Sequence, residues 1–141
     1  MSGLLLVRDA MSQNVKTVKV DDTVLDAVRK MNKFRIGSVV VLSGTRPVGI
    51  ITERNILQRV VEPCADPRVI KAKDIMSSPL ITIESNVPLE EAARLMVRRG
   101  IKKLPVIDDG RLVGIITTTD LVRASPVQLG IIEELLKVSP K

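Results

Sequence analysis

The stretch "GIITERN" (Gly49–Asn55) is answered by "GIITTTD" (Gly114–Asp120), 65 residues further along the chain. The first four residues are unchanged, and the last position changes from Asn to Asp. Sliding the chain by the same 65 residues aligns Asp9–Gln58 with Asp74–Arg123 without a gap. Identical pairs include Asp9/Asp74, Met11/Met76, Ser12/Ser77, Ala27/Ala92, Met31/Met96, Val41/Val106 and Arg46/Arg111, and Val48–Thr52 matches Val113–Thr117 throughout. Register kept over that length marks a duplicated unit. Two such copies are expected to pack about a pseudo-twofold axis.

Each copy carries the same succession of signals. A short helical turn ("VRDAMS", "AKDIMS") leads into an extended stretch ("VKTVKV", "LITIES"). Val24, Ala27, Val28 and Met31 then recur at helical spacing, as do Leu89, Ala92, Ala93 and Met96. Asp22 is the expected N-cap of the first helix, Pro88 the expected first residue of the second, and Gly100 its stop. A buried strand follows ("IGSVVVL", "KKLPVID"), then a turn at Ser43-Gly44 or Asp108-Asp109-Gly110. A second strand ("PVGIIT", "LVGIIT") and a helix beginning near Glu53 or Thr118 close the copy. The fold class is therefore α/β, an α+β sandwich of two β-α-β-β-α repeats. The first repeat spans 7–61 and the second 72–124, joined by the linker 62–71, "EPCADPRVIK". The tail 125–141 predicts one more short helix, with Ile131, Ile132, Leu135 and Leu136 on its apolar side.

Composition narrows the chemistry. The chain has 141 residues, no His, a single Cys (Cys64) and a single aromatic, Phe34. Histidine general bases, Cys/His zinc clusters and Cys-His nucleophile pairs are thereby excluded. No calcium-loop pattern is present, so neither catalytic nor metal-ligating residues are assigned, and the protein is read as a non-enzyme. A lone cysteine, no apolar run of membrane-spanning length and no secretory leader pattern point to the cytoplasm. The formal charge of +6 admits anionic partners. Single-stranded nucleic acid is disfavoured, because stacking platforms for bases are missing.

The lead-in D-x-M-S at Asp9 and Asp74, the strand "KKLPVID", and G-h-h-T-x-x-[DN] (h, apolar) closing each copy together resemble a tandem cystathionine-β-synthase (CBS) domain pair, or Bateman module. The resemblance covers residues 7 to 124. It implies two clefts related by the pseudo-twofold axis that bind adenosine-bearing ligands: AMP, ADP, ATP or S-adenosylmethionine. It also implies a homodimer and a regulatory, non-catalytic role. No cofactor is required; the adenosine compound is the regulatory ligand.

Adenosine binding needs an apolar slot, an acceptor for the ribose hydroxyls, and cations or N–H groups for phosphate. Asp120 is the ribose acceptor, since a carboxylate can take both hydroxyls in charge-assisted bonds. Thr117 offers a hydroxyl beside it. Thr118 and Thr119 crowd the helix start, where they either cap it or meet the ligand, and backbone N–H groups there point toward an anion. By the resemblance, Lys102 and Lys103 face the phosphates, while Leu104, Pro105 and the backbone of Leu80, Ile81 and Thr82 wall the base slot. The first copy departs from this pattern. Gly37 and Ser38 replace the two lysines, and Asn55 replaces the carboxylate. Val15, Lys16, Thr17, Ser38, Val39, Thr52, Arg54 and Asn55 are its corresponding residues, with Glu53 adding unfavourable charge. A neutral amide is the weaker acceptor, so the second cleft is expected to be the better nucleotide site.

Three functions compete at this point. One is an adenosine-ligand sensor that shifts the orientation of its copies and acts in trans on an effector protein. A second is a structural dimerisation module with degenerate clefts. The third, least favoured, is a basic protein that binds duplex nucleic acid.

Overall fold

The computed structural model describes residues 4–124, so the helix expected at 125–141 lies outside the described residues. The first copy contains α1 (Val7–Ala10), β1 (Thr17–Lys19), α2 (Val24–Phe34), β2 (Ser38–Ser43), β3 (Arg46–Thr52) and α3 (Glu53–Ile56). One wider π turn, Leu57–Val61, continues α3. The second copy contains α4 (Ala72–Ile75), α5 (Leu89–Arg99), β4 (Lys103–Asp108), β5 (Arg111–Thr117) and α6 (Thr118–Ala124). The fold is mixed α/β and consists of two repeats of one element order.

The amphipathic helices form as their spacing predicts. Val24, Ala27 and Met31 are buried on α2, and Leu89, Ala92 and Met96 on α5. Their caps differ from expectation. Thr23 is the N-cap of α2, its hydroxyl accepting from Asp26 N–H at 3.1 Å while the Asp26 carboxylate accepts from Thr23 N–H. Asp22 sits one residue too early and instead accepts from Lys19 N–H at 2.8 Å, closing the turn after β1. Pro88 is the cap residue before α5, not its first residue. Gly100 does end α5 in the left-handed conformation, with φ 64°. At the matching place Arg35 takes φ 53°, a conformation unfavourable for a residue with a Cβ.

Within the first copy β1, β2 and β3 form one sheet in that order. β1 runs parallel to β2, with α2 as the crossover, and β2 pairs antiparallel with β3, Val40 facing Ile50 and Val41 facing Gly49. Val39, Val40 and Val41 are all buried, as expected for a strand covered on both faces. The second copy keeps only β4 and β5 as a sheet. One cause is that Ser85, the counterpart of Val20, gives its N–H to the Asp108 carboxylate; the other is a proline. In the first copy Val40 N–H donates to the Lys16 carbonyl at 3.2 Å. Pro105 stands at the equivalent position and has no N–H to give. The extended stretch "LITIES" is thus reduced to a single parallel bridge between Ile83 and Val106.

The chain divides into two compact units that do not follow the boundary between repeats. One unit contains Asn14–Ile81 together with Asp109–Leu112. The other contains the described residues as far as Gln13, then Thr82–Asp108, then those from Val113 onward. Each lead-in segment therefore belongs with the strands of the opposite repeat. In the first of these units α4 packs against α2 and β3, and Ser77 pairs with Ile50. In the other, α1 packs against α5 and α6, and Ser12 pairs with Ile115.

This exchange explains the repeated glycines. A Cβ on Gly49 would lie 2.5 Å from Met76 Sδ and 3.0 Å from the Ser77 carbonyl oxygen. One on Gly114 would lie 2.6 Å from Met11 Sδ and 2.8 Å from the Ser12 carbonyl oxygen. The D-x-M-S and G-I-I-T motifs are two sides of one contact. The Asp of each lead-in secures its own helical turn, Asp9 accepting from Leu6 N–H at 2.8 Å and Asp74 from Lys71 N–H at 3.0 Å.

Candidate functional site

At the end of β5 the chain turns directly into α6, and Thr117 and Asp120 lock that turn. Asp120 Oδ2 accepts from Thr117 N–H at 2.8 Å and from the Thr117 hydroxyl at 3.0 Å. Asp120 N–H returns a bond to Thr117 Oγ1 at 3.3 Å. The carboxylate is half-buried, and among the described residues Oδ1 carries no hydrogen bond. One oxygen is thus fixed by the fold, while the other remains able to accept two hydrogen bonds at a defined place. The Thr117 hydroxyl has given its proton to Asp120, so toward a ligand it acts as an acceptor.

Two of the first three N–H groups of α6 are already used. Thr118 N–H donates to the Lys102 carbonyl at 3.1 Å, and Asp120 N–H to Thr117. The helix start therefore offers an anion less than the strand-to-helix junction promised. The Thr118 bond has a second effect: it brings the chain at Lys102 against the start of α6. Lys102 is exposed and Lys103 half-buried. Leu104 and Pro105 are fully buried in the packing of β4. Thr82 is half-buried in the same unit, whereas Leu80 and Ile81 end the other unit. Thr118 is half-buried and Thr119 exposed; the cap of α6 is Thr117, not either of them.

The first copy has the same backbone turn at the end of β3, with a different use of the last side chain. Asn55 Oδ1 accepts from Thr52 N–H at 2.9 Å and from the Thr52 hydroxyl at 3.1 Å. Asn55 Nδ2 donates to Ser77 Oγ at 3.0 Å, and the residue is only 5% exposed. Both ends of the amide are engaged. Arg59 reinforces the same contact, donating from Nη1 to the carbonyls of Ile75 and Met76 at 2.9 and 3.1 Å. Glu53 N–H donates to the Gly37 carbonyl at 3.2 Å, the counterpart of the Thr118 bond. Ser38 and Val39 are buried, and Glu53 and Arg54 are exposed.

The remaining first-copy positions are also occupied by the protein. The Lys16 carbonyl is held by Val40 N–H, and the Thr17 carbonyl by Lys30 Nζ at 2.7 Å. Lys16 Nζ lies 4.1 Å from the centroid of Phe34 and donates to Asn14 Oδ1, while Val15 beside it is half-buried. Sequence reasoning missed Ser77, Arg59 and Lys30. Ser77 was visible as the identical partner of Ser12, but its role depends on the exchange of lead-in segments. Arg59 and Lys30 were visible as mismatches, since Ala124 and Leu95 occupy their places in the second copy.

The family model described as the CBS domain matches residues 7–62 and 72–127. This chain belongs to the CBS-domain family. The CBS pair is 40% identical over 135 residues to an uncharacterized protein of Methanocaldococcus jannaschii, covering 96% of this chain and 70% of that one. It is 39% identical over 133 residues to an uncharacterized protein of Methanopyrus kandleri, covering 93% and 68% respectively. The crystal structure of an uncharacterized conserved protein from Pyrococcus horikoshii superimposes with a TM-score of 0.80 at 34% identity, covering 89% of this chain and 95% of that one. Tandem CBS domains commonly bind adenosine ligands in regulatory roles. Among the described residues no helix is long and apolar enough to cross a membrane, and no His/Cys/Asp/Glu group could hold a metal ion.

Proposed function

We propose that this protein is a non-catalytic cytoplasmic sensor of an adenosine-bearing ligand, of the AMP, ADP, ATP or S-adenosylmethionine class. The observation that carries the reading is the Asp120 carboxylate, pinned through Oδ2 by Thr117 and open at Oδ1. A vicinal diol presents two donors to such an oxygen, and charge-assisted bonds are the stronger kind. Lys102 and Lys103 supply flexible cations for a phosphate or carboxylate at the other end of the ligand. The ligand favours one of two conformational states, and an effector protein acting in trans reads the difference. The acting form is a homodimer.

Calorimetric titration of the folded protein with AMP, ATP and S-adenosylmethionine tests the reading. Heat and saturation with at least one of them are expected, and Asp120→Ala weakens that binding by about 1.5–3 kcal/mol, the scale of lost hydrogen bonds to a charged group. No heat with any of the three refutes it. The second reading, a dimerisation module without a ligand, is favoured by Leu57 and Val61, one turn apart and 60% and 59% exposed. That reading predicts a dimer whose stability does not change with any adenosine compound.

A further inference from the structure

The two strand-to-helix turns share a backbone, yet the first copy fills with its own donors the places that the second leaves to an outside molecule. At the turn, Asn55, only 5% exposed, spends Oδ1 on Thr52 and Nδ2 on Ser77, so the amide can neither rotate nor accept from a diol without breaking one of these bonds. On β1, Lys30 Nζ covers the Thr17 carbonyl at 2.7 Å. In the second copy Leu95 stands where Lys30 stands, so the Thr82 carbonyl lacks that donor. Ser12 stands where Ser77 stands, but no bond joins it to Asp120.

We propose that Asn55, with Ser77 and Lys30, is a specificity-determining plug: it closes the first-copy counterpart of the Asp120 site and leaves one ligand position per chain. The plug has a physical rationale. A carboxylate at position 55, buried to the same degree, would have to lose its solvation or attract a ligand, whereas a neutral amide with both ends bonded is stable in place. The role of the first copy is to hold a lead-in segment. Three independent ties fix Ile75–Ser77 there: the Ser77/Ile50 bridge, Asn55 to Ser77, and Arg59 to Ile75 and Met76. The equivalent segment at Met11–Ser12 keeps its bridge to Ile115, but Asp120 and Ala124 stand at the positions of Asn55 and Arg59.

The inference about stoichiometry rests on the adenosine-sensor reading, and its test has two arms so that the two can fail separately. In the first arm, equilibrium dialysis with AMP and with ATP is expected to give a single site per chain. Asp120→Ala should lower its affinity about tenfold to a hundredfold and reveal no second site. Two sites of comparable affinity, or a full-strength site surviving in Asp120→Ala, overturns the proposal. If neither nucleotide binds, and S-adenosylmethionine gives no heat either, the sensor reading fails instead, and the second arm decides the plug. Thermal unfolding of Asn55→Ala, Ser77→Ala and the double variant is expected to be strongly non-additive, the double variant melting no lower than Asn55→Ala alone. The matched cycle with Asp120→Ala and Ser12→Ala is expected to be additive. Additivity at Asn55 and Ser77 overturns the plug whatever binds elsewhere.

Discussion

The turn at Thr52–Asn55 and the turn at Thr117–Asp120 have the same backbone bonds, but their last side chains face different tasks. Asn55 has a donor as well as an acceptor, and it uses the donor to clamp Ser77. Asp120 has no donor, so the same geometry leaves it an oxygen to spare. One atom, nitrogen in place of oxygen, separates a structural joint from the proposed binding group. Duplication supplies two equal junctions, and on the proposed reading Asn55, with Arg59 and Lys30 beside it, divides the work between them.

The largest effect that would test this division comes from the glycines beneath the two joints. Gly49→Ala and Gly114→Ala both press a methyl group into a Met thioether and a backbone carbonyl. Because Asn55 and Arg59 hold Met76–Ser77 in place, Gly49→Ala is expected to cost about 3 kcal/mol. Met11–Ser12 can yield further, and Gly114→Ala should cost about 1–2 kcal/mol. Urea unfolding of both variants measures the difference, and the reverse order breaks the comparison.

Next in size is the pair of side chains themselves. Asn55→Ala leaves the Thr52 N–H and the Ser77 hydroxyl without a buried partner and is expected to lose about 2 kcal/mol of stability. Asp120→Ala removes the half-buried bonds from Thr117 to Oδ2 but leaves no second lead-in group unpartnered, and should lose about 1 kcal/mol. In ligand titrations the ranking inverts, with Asp120→Ala damaging binding and Asn55→Ala leaving it nearly intact. Parallel melting and calorimetry give both rankings. If one variant leads in both, the two joints are not functionally divided.

Smaller again is the contrast at the ends of the two long helices. Gly100 takes a left-handed conformation that suits it, whereas Arg35 pays a steric cost at φ 53°. Arg35→Gly is expected to stabilise the protein by about 0.5–1 kcal/mol in chemical denaturation, against a loss for Gly100→Ala.

The smallest expected effect concerns acid stability. Val20 N–H pairs with the Leu42 carbonyl, but its counterpart Ser85 gives both its N–H and its hydroxyl to the Asp108 carboxylate. The Ser85 hydroxyl bond, then the Ser85 N–H bond, and the charge of Arg8 hold the Asp108 carboxyl below its ordinary value. A depressed folded-state value means that this contribution is complete above the ordinary carboxyl range, near pH 4, and disappears as pH falls through the depressed value. Ser85→Ala should raise the Asp108 titration midpoint toward the ordinary value in a carboxyl-carbon NMR titration, and flatten the acid limb of stability.

Much of this architecture was legible in the sequence. The gapless repeat predicted the element order, and helical spacing picked out Val24, Ala27, Met31, Leu89, Ala92 and Met96 as core positions. The family followed from ordered motifs, each of them weak alone. Cap positions were off by a residue at Asp22 and Pro88, because Asp22 and Thr23 stand side by side and both suit an N-cap, while Pro88 suits the cap as well as the first helical position, and only the backbone decides. The missing third strand was also written in the chain, as Pro105, but a proline matters to a sheet only once its would-be acceptor is known. The side-chain plug was least legible. It requires Ser77 to meet Asn55, and no local rule assigns a lead-in segment to the opposite repeat.

That exchange of lead-in segments also governs how the protein can be made. On the ribosome, the strands of the first repeat cannot complete their packing until Ser77 has emerged, and α1 has to wait for β5 and α6. Severing the chain in the linker would give two fragments, each carrying the wrong lead-in for its own strands. A single-repeat ancestor could satisfy itself only by trading that segment with a twin, as in a domain-swapped pair. Two fused repeats make within one chain the trade that single repeats would have to make between molecules.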